Sequence, residues 1–170
     1  DFEGIKKFYP FFVTRGISLD TQKAFGAHFI LTKKESLDGG KSHTNLSFPL
    51  YVPGNKNVVG LEERGYPRLD GSSGYKGKAL GSNSSEGLWI AALGKQDLSN
   101  ATDVYWFESG YDAMSYYQLH VKDNPSLEKA VFVSTGGNPT VGQMQRMLAV
   151  TPSARHHICF VTDRAGRQFT

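Results

Sequence analysis

Cysteine is almost absent from this chain: Cys159 is the single one among 170 residues. One cysteine excludes an internal disulfide and a structural zinc site built on cysteines. No run approaches the roughly 18 consecutive apolar residues of a membrane-spanning helix, and no charged-then-apolar leader opens the sequence. These absences set the expectation of a cytoplasmic protein with no membrane partner, in which the Asn-x-Ser/Thr triplets at Asn45, Asn83 and Asn100 are chance. Charge of one sign is also scarce. The net charge is +3, and the surplus lies in residues 1–99, where 13 Lys and Arg face 10 Asp and Glu. That excess neither demands nor opposes a nucleic-acid partner.

What is present suffices for a core. Apolar residues make up 39% of the chain and aromatic ones 12%, which excludes wholesale disorder. The length fits one domain, or two small ones sharing an interface. Pro10 suits the first turn of a helix from Pro10 to Arg15 that Gly16 stops, and Ser18 suits the N-cap of a second, Leu19 to Phe25, stopped by Gly26. The recurrence of Phe8, Phe11 and Phe12 at helical spacing assigns them to the core. The period then shortens. His28–Lys33, Thr44–Tyr51, Val58–Glu62 and Gly87–Leu93 read as strands separated by Gly/Pro/Asn turns, with 65–87 as a long loop or ragged hairpin.

From residue 103 the pattern changes again. Val104–Phe107, Val131–Val133 and Ile158–Val161 read as short buried strands. Between them lie helical stretches Tyr111–Val121, with Met114, Tyr117, Gln118 and Val121 inward, and Thr140–Val150, with Val141, Met144, Met147 and Leu148 inward. Strand–helix alternation at this spacing predicts a parallel sheet, whose sites lie beyond the carboxyl ends of its strands. Three segments then share one edge: 108–110, 134–138 and 162–164. Glu108 and Asp163 flank the open Gly136-Gly137 turn there, an arrangement suited to Mg²⁺ or Mn²⁺, because hard cations take oxygen ligands. Asp112, one helical turn after Glu108, supports it, and Arg164 and Arg167 are placed to hold phosphates. The plainer alternative is that the two acids cap the helices that follow them.

Three segments carry a resemblance. Val104-Tyr-Trp-Phe-Glu-Ser-Gly-Tyr-Asp-Ala-Met resembles the first motif of the Toprim domain, Val133-Ser-Thr-Gly-Gly-Asn its second strand and glycine turn, and Asp163-Arg-Ala-Gly-Arg the end of its third motif. In the first half, Arg15-Gly-Ile-Ser-Leu-Asp-Thr-Gln-Lys-Ala-Phe-Gly, Thr44-Asn-Leu-Ser-Phe-Pro-Leu-Tyr and Val58-Val-Gly-Leu-Glu resemble the opening and following strands of bacterial-type primase catalytic cores. The resemblance is nearest to the primase-like Toprim proteins of mobile elements and plasmids. It implies an α+β N-terminal subdomain over residues 1–100, then an α/β Toprim subdomain with a mainly parallel sheet over residues 101–170, incomplete at its C-terminus. It also implies Mg²⁺- or Mn²⁺-dependent nucleotidyl transfer, that is, primer synthesis in replication or mobilisation of a mobile element. Glu108 and Asp163 would be the catalytic metal-holding acids, and Asp112 a further ligand. Single-stranded DNA and nucleotides would be the partners, with a helicase or another replication protein alongside.

One departure bears on activity. The Toprim pattern carries a further Asp two residues before Asp163, and this chain has Val161, expected to be buried, which offers no ligand. That departure keeps open a catalytically degenerate module that binds nucleic acid or a replication partner. A Toprim nuclease or topoisomerase is a second alternative, disfavoured by the primase-like first half. Outside these motifs, Arg64, Arg68, Lys76 and Lys78, interleaved with Tyr66 and Tyr75, make 64–78 the candidate contact for single-stranded nucleic acid, with a solvated loop the equal alternative. Cys159 in an apolar run reads as an inert buried thiol, and His156-His157 as a solvated strand entrance.

Overall fold

The computed structural model describes residues 2–36, 38–70, 72 and 74–161. The chain opens with α1 (Phe2–Lys6) and α2 (Tyr9–Phe12), the latter with Pro10 in its first turn and continued by a 3₁₀ turn over Val13–Arg15. Gly16 ends that turn at φ +67°, a left-handed conformation glycine adopts without strain. Ser18 then caps α3 (Leu19–Ala24) by accepting from the Thr21 N–H. An antiparallel sheet follows in the order β1 (Ile30–Lys34), β2 (His43–Tyr51), β3 (Val58–Arg64), β4 (Lys76–Lys78).

The second sheet contains β5 (Trp89–Ala92), β6 (Asp103–Phe107), β7 (Val131–Ser134) and β8 (Arg155–Ile158), in the order β5-β7-β6-β8. Its β6–β7 and β6–β8 pairings are parallel; β5 runs antiparallel to β7 at one edge. α4 (Gly110–His120) crosses from β6 towards β7, and α5 (Val141–Val150) from β7 to β8. The expected strand–helix alternation is therefore present, with the antiparallel edge strand added.

One apolar cluster spans both sheets. Phe11, Phe12, Phe25, Phe48, Trp89, Tyr105, Tyr111 and Phe132 all belong to it. Its aromatic rings meet mostly edge-on, as at Phe48–Trp89 and Phe48–Tyr111, with centroids 5.5 and 5.8 Å apart. Gly110 permits this closure: a Cβ there would lie 2.6 Å from the Phe48 ring. Gln118 ties α4 to the N-terminal helices, accepting from the Ser18 N–H at 2.7 Å and donating to the Gly16 carbonyl at 2.8 Å.

Three expectations need correction. The third parallel strand is β8, Arg155–Ile158, three residues earlier than the apolar run suggests. The reason is that His156 and His157 pack rather than face solvent: Trp106 Nε1 donates to His156 Nδ1 at 2.9 Å, and His157 stacks on Tyr105 with centroids 4.2 Å apart. Val161 is 54% exposed, not buried, because the strand has already ended. On α5, Val141 and Leu148 face solvent. Met147 is buried and Met144 packs against the core as expected, and the inner face also carries buried Gln143, whose amide donates to the Gly87 carbonyl at 2.9 Å. Of the two readings of 65–87, the ragged hairpin is the one present: residues 76–78 pair antiparallel with β3 as β4.

The Trp106 bond fixes the His156 tautomer: Nδ1 accepts, so Nε2 carries the proton and donates to Thr151 Oγ1 at 3.2 Å. Burial, and then the charge of His157, hold the His156 pKa below its ordinary value. The fold thus favours the neutral ring. Its contribution is whole above about pH 6.5, the unfolded value, and is lost as pH falls towards the folded value below it. The expected result is a melting temperature that drops between pH 7.5 and 5.5, with a shallower drop in His156→Gln. A pH profile unchanged by that substitution would refute the assignment. For Gly110→Ala, overpacking against Phe48 is expected to cost about 1–3 kcal/mol, read as a lower denaturant midpoint at an unchanged slope.

Candidate active site

The carboxyl edge of the parallel sheet is built from two adjacent strand ends. β6 ends at Phe107, and half-buried Glu108 follows it. Ser109 then caps α4, accepting from the Asp112 N–H at 3.2 Å and donating its hydroxyl to Asp112 Oδ2 at 2.7 Å. Asp112 is thus engaged at the helix start, where an acid also complements the helix dipole. β7 ends at Ser134, and the Thr135 N–H donates to the Phe107 carbonyl at 3.1 Å, joining the two strand ends. Gly136 and Gly137 follow at φ +65° and +139°, conformations that disfavour a side chain. The expected open turn therefore sits beside Glu108.

The antiparallel sheet meets this turn. Strand alternation puts Glu62 and Arg64 of β3 on one face and Glu63 on the other, where Lys34 lies 3.8 Å from its Oε2. Glu62 is 2% exposed and pairs with Arg64: Nε and Nη2 donate to Oε1 at 3.3 and 3.1 Å. Glu62 Oε2 is buried without a hydrogen-bond partner. A Cβ on Gly136 would lie 3.1 Å from that oxygen and 3.3 Å from Lys78 Cε. The glycine turn is thus the surface on which Glu62 and Lys78 rest.

Tyr111, on the first turn of α4, is held between cations. The Arg15 guanidinium stacks 3.9 Å from its ring centroid, and that of Arg64 lies 5.7 Å away. Burial pushes the Tyr111 phenol up to about 12, so it stays neutral and donates to the Phe11 carbonyl at 3.3 Å.

The residues expected to act together are distributed as follows. Glu108, Asp112, Gly136 and Gly137 share one edge; Asp163, Arg164 and Arg167 lie outside the described residues. Arg64 is buried in its ion pair, whereas Arg68 and Lys76 are exposed and Lys78 half-buried. Arg68 lines a cleft of about 480 Å³ with Lys34, His43, Asn45, Tyr66 and Tyr75. Among the described residues, no three His, Cys, Asp or Glu side chains gather closely enough to form a metal cluster. Cys159 is partly buried and its pKa is raised by burial, consistent with an inert thiol. Sequence reasoning missed Glu62, Arg15 and Tyr111. The available signal was an acid and a base two residues apart in an otherwise apolar strand, Val58-Val-Gly-Leu-Glu-Glu-Arg.

Residues 105–170 match the family described as Toprim-like. No curated protein sequence matches the chain. Among solved structures, the primase fragment of the bacteriophage T7 primase-helicase protein is similar at TM-score 0.54 and 18% identity, over 94% of this chain and 57% of that one. The E. coli primase catalytic core gives 0.55 and 15%, over 98% and 57%. The DnaG primase catalytic domain bound to ssDNA gives 0.53 and 14%, over 97% and 58%. The chain therefore has the primase-core fold and spans somewhat over half the length of these structures.

Gly136→Ala tests the close approach at the turn. A left-handed alanine costs about 1–2 kcal/mol, and its methyl would press on Glu62 and Lys78. A lowered melting temperature is expected; Gly142→Ala on α5, where an added methyl would meet only Thr140 Oγ1 at an ordinary 3.9 Å, is the control that should not lower it.

Proposed function

We propose that this chain is part of a primase-like enzyme that carries out divalent-metal-dependent nucleotidyl transfer on a single-stranded DNA template, in replication or mobilisation of a mobile element. One observation carries the reading: an acid and a base of the antiparallel sheet, Glu62 and Lys78, rest on the Gly136 turn of the parallel sheet, whose strand end is hydrogen-bonded to the one that precedes Glu108. Charged residues drawn from two separate sheets onto one edge suit a triphosphate and its cation better than they suit helix capping alone.

Mg²⁺ or Mn²⁺ would be held by Glu108, with Asp112 and Asp163 supporting it, and would neutralise charge developing on the transferred phosphoryl group. The orphaned Glu62 oxygen fits such a cation, since a buried carboxylate oxygen without a partner calls for one. Lys78, lying over the turn, and Arg15, stacked on Tyr111, are placed to meet phosphate oxygens. The Gly136-Gly137 turn lets a nucleotide approach the backbone. Arg68 and Lys76 follow the template as exposed cations, with Tyr66 and Tyr75 as stacking faces. A replicative helicase is the protein partner proposed. The rival reading, a non-catalytic nucleic-acid-binding module, draws on Val161, which is exposed yet apolar where the motif carries an acid.

The test is binding of single-stranded DNA and of a nucleoside triphosphate with and without Mn²⁺. Nucleotide binding that requires Mn²⁺ supports the enzyme; DNA binding with no metal-dependent nucleotide binding supports the rival. In the Arg68 and Lys76 double alanine variant, the log–log salt slope of DNA binding should shrink by about 1.4, at about 0.7 per lost phosphate contact. Arg64 is left intact because removing one member of a buried pair would destabilise the fold by about 3–5 kcal/mol. An unchanged slope would remove these cations from the interface.

A further inference from the structure

We propose that Glu62 of the antiparallel sheet supplies a carboxylate oxygen to the divalent cation at the edge of the parallel sheet, where Val161 offers none. The inference rests on the reading of that edge as a cation site.

Glu62 divides its two oxygens. Oε1 accepts two bonds from the Arg64 guanidinium, while Oε2 has no partner and is shut away from water. A buried carboxylate is costly unless its charge is met, and an unsatisfied oxygen in a native fold points to an absent ion or water. Arg64 meets half of this requirement. Lys78 does not meet the rest: its Cε lies over the turn, yet among the described residues it forms no ion pair with Glu62.

The position of Oε2 assigns the remaining half. It lies against Gly136, the second residue past β7. The Thr135–Phe107 hydrogen bond joins that strand end to β6, and Glu108 is the next residue after Phe107. Phe107 is in register with Ser134, so Glu108 is level with Thr135, the residue before Gly136, on strands that run about 4.8 Å apart. Oxygen donors from the two sheets thus face one edge, and oxygen is the donor that Mg²⁺ and Mn²⁺ prefer. Lys78 completes the device. Its Cε and Glu62 Oε2 both lie within reach of Gly136, which places a cationic side chain beside the same turn for a phosphate.

Two measurements test this. In calorimetric titration with Mn²⁺ alone, Glu62→Gln, which keeps an oxygen for Arg64, is expected to weaken affinity by about tenfold or more. The unsubstituted chain provides a test that does not depend on the variant folding. Fe²⁺ with ascorbate and peroxide should cut the backbone near 61–63 as well as near 108 and 136, with the cuts suppressed by excess Mg²⁺. Cuts confined to the parallel-sheet edge, with Glu62→Gln within twofold of the parent, would overturn the role of Glu62 and leave the cation site standing. A folded chain that binds no Mn²⁺ and shows no local cutting would overturn both.

Discussion

The contact between Phe48 and Gly110 is the constraint on which the rest of the structure depends. Phe48 projects from the antiparallel sheet and Gly110 opens the first helix of the parallel one; with no side chain at 110, the ring reaches the helix backbone. That approach seats Tyr111 against Phe12 and Phe48 and continues one apolar cluster through Trp89 to Phe132. The two sheets are consequently neighbours within a shared core. Each buries apolar surface that neither could bury alone.

Function follows from the same seam. Packing Phe48 on Gly110 brings the face of β3 that carries Glu62 and Arg64 to the carboxyl edge of the parallel sheet, the usual location of sites in such sheets. A second glycine contact, Gly136 against Glu62 and Lys78, sets the spacing there. The two glycines have different tasks: one admits an aromatic ring and the other admits charge. At the seam Glu62 is paired with Arg64 through Oε1, while its Oε2 is one of four buried side-chain atoms among the described residues that lack a hydrogen-bond partner, with Glu63 Oε2, Gln22 Oε1 and Gln96 Oε1.

Much of this was legible in the sequence because it is local. The Ser18 cap, the Gly16 stop, the strand–helix alternation after residue 103 and the open Gly136-Gly137 turn each follow from residues adjacent in the chain. What escaped detection depends on tertiary contacts. His156 and His157 look polar until Trp106 and Tyr105 offer partners, which moves the third strand earlier. Gln143 looks like a surface residue until the carbonyls of Ser84 and Gly87 claim its amide, which rotates α5 away from the face its apolar residues suggest. Lys76–Lys78 forms a strand only because β3 offers it an edge. Glu62 ends the quoted segment Val58-Val-Gly-Leu-Glu, yet nothing in that segment marks it as a site residue, because the turn it meets comes from the opposite half of the chain.

The central claim is that this edge, assembled from both sheets, is a working cation site despite valine at position 161. Its most direct test is a calorimetric titration of Mn²⁺ into the folded chain and into its Glu108→Gln variant. The account predicts saturable binding by the parent that the variant loses. Equal binding by the two proteins, or none by a demonstrably folded parent, would contradict it.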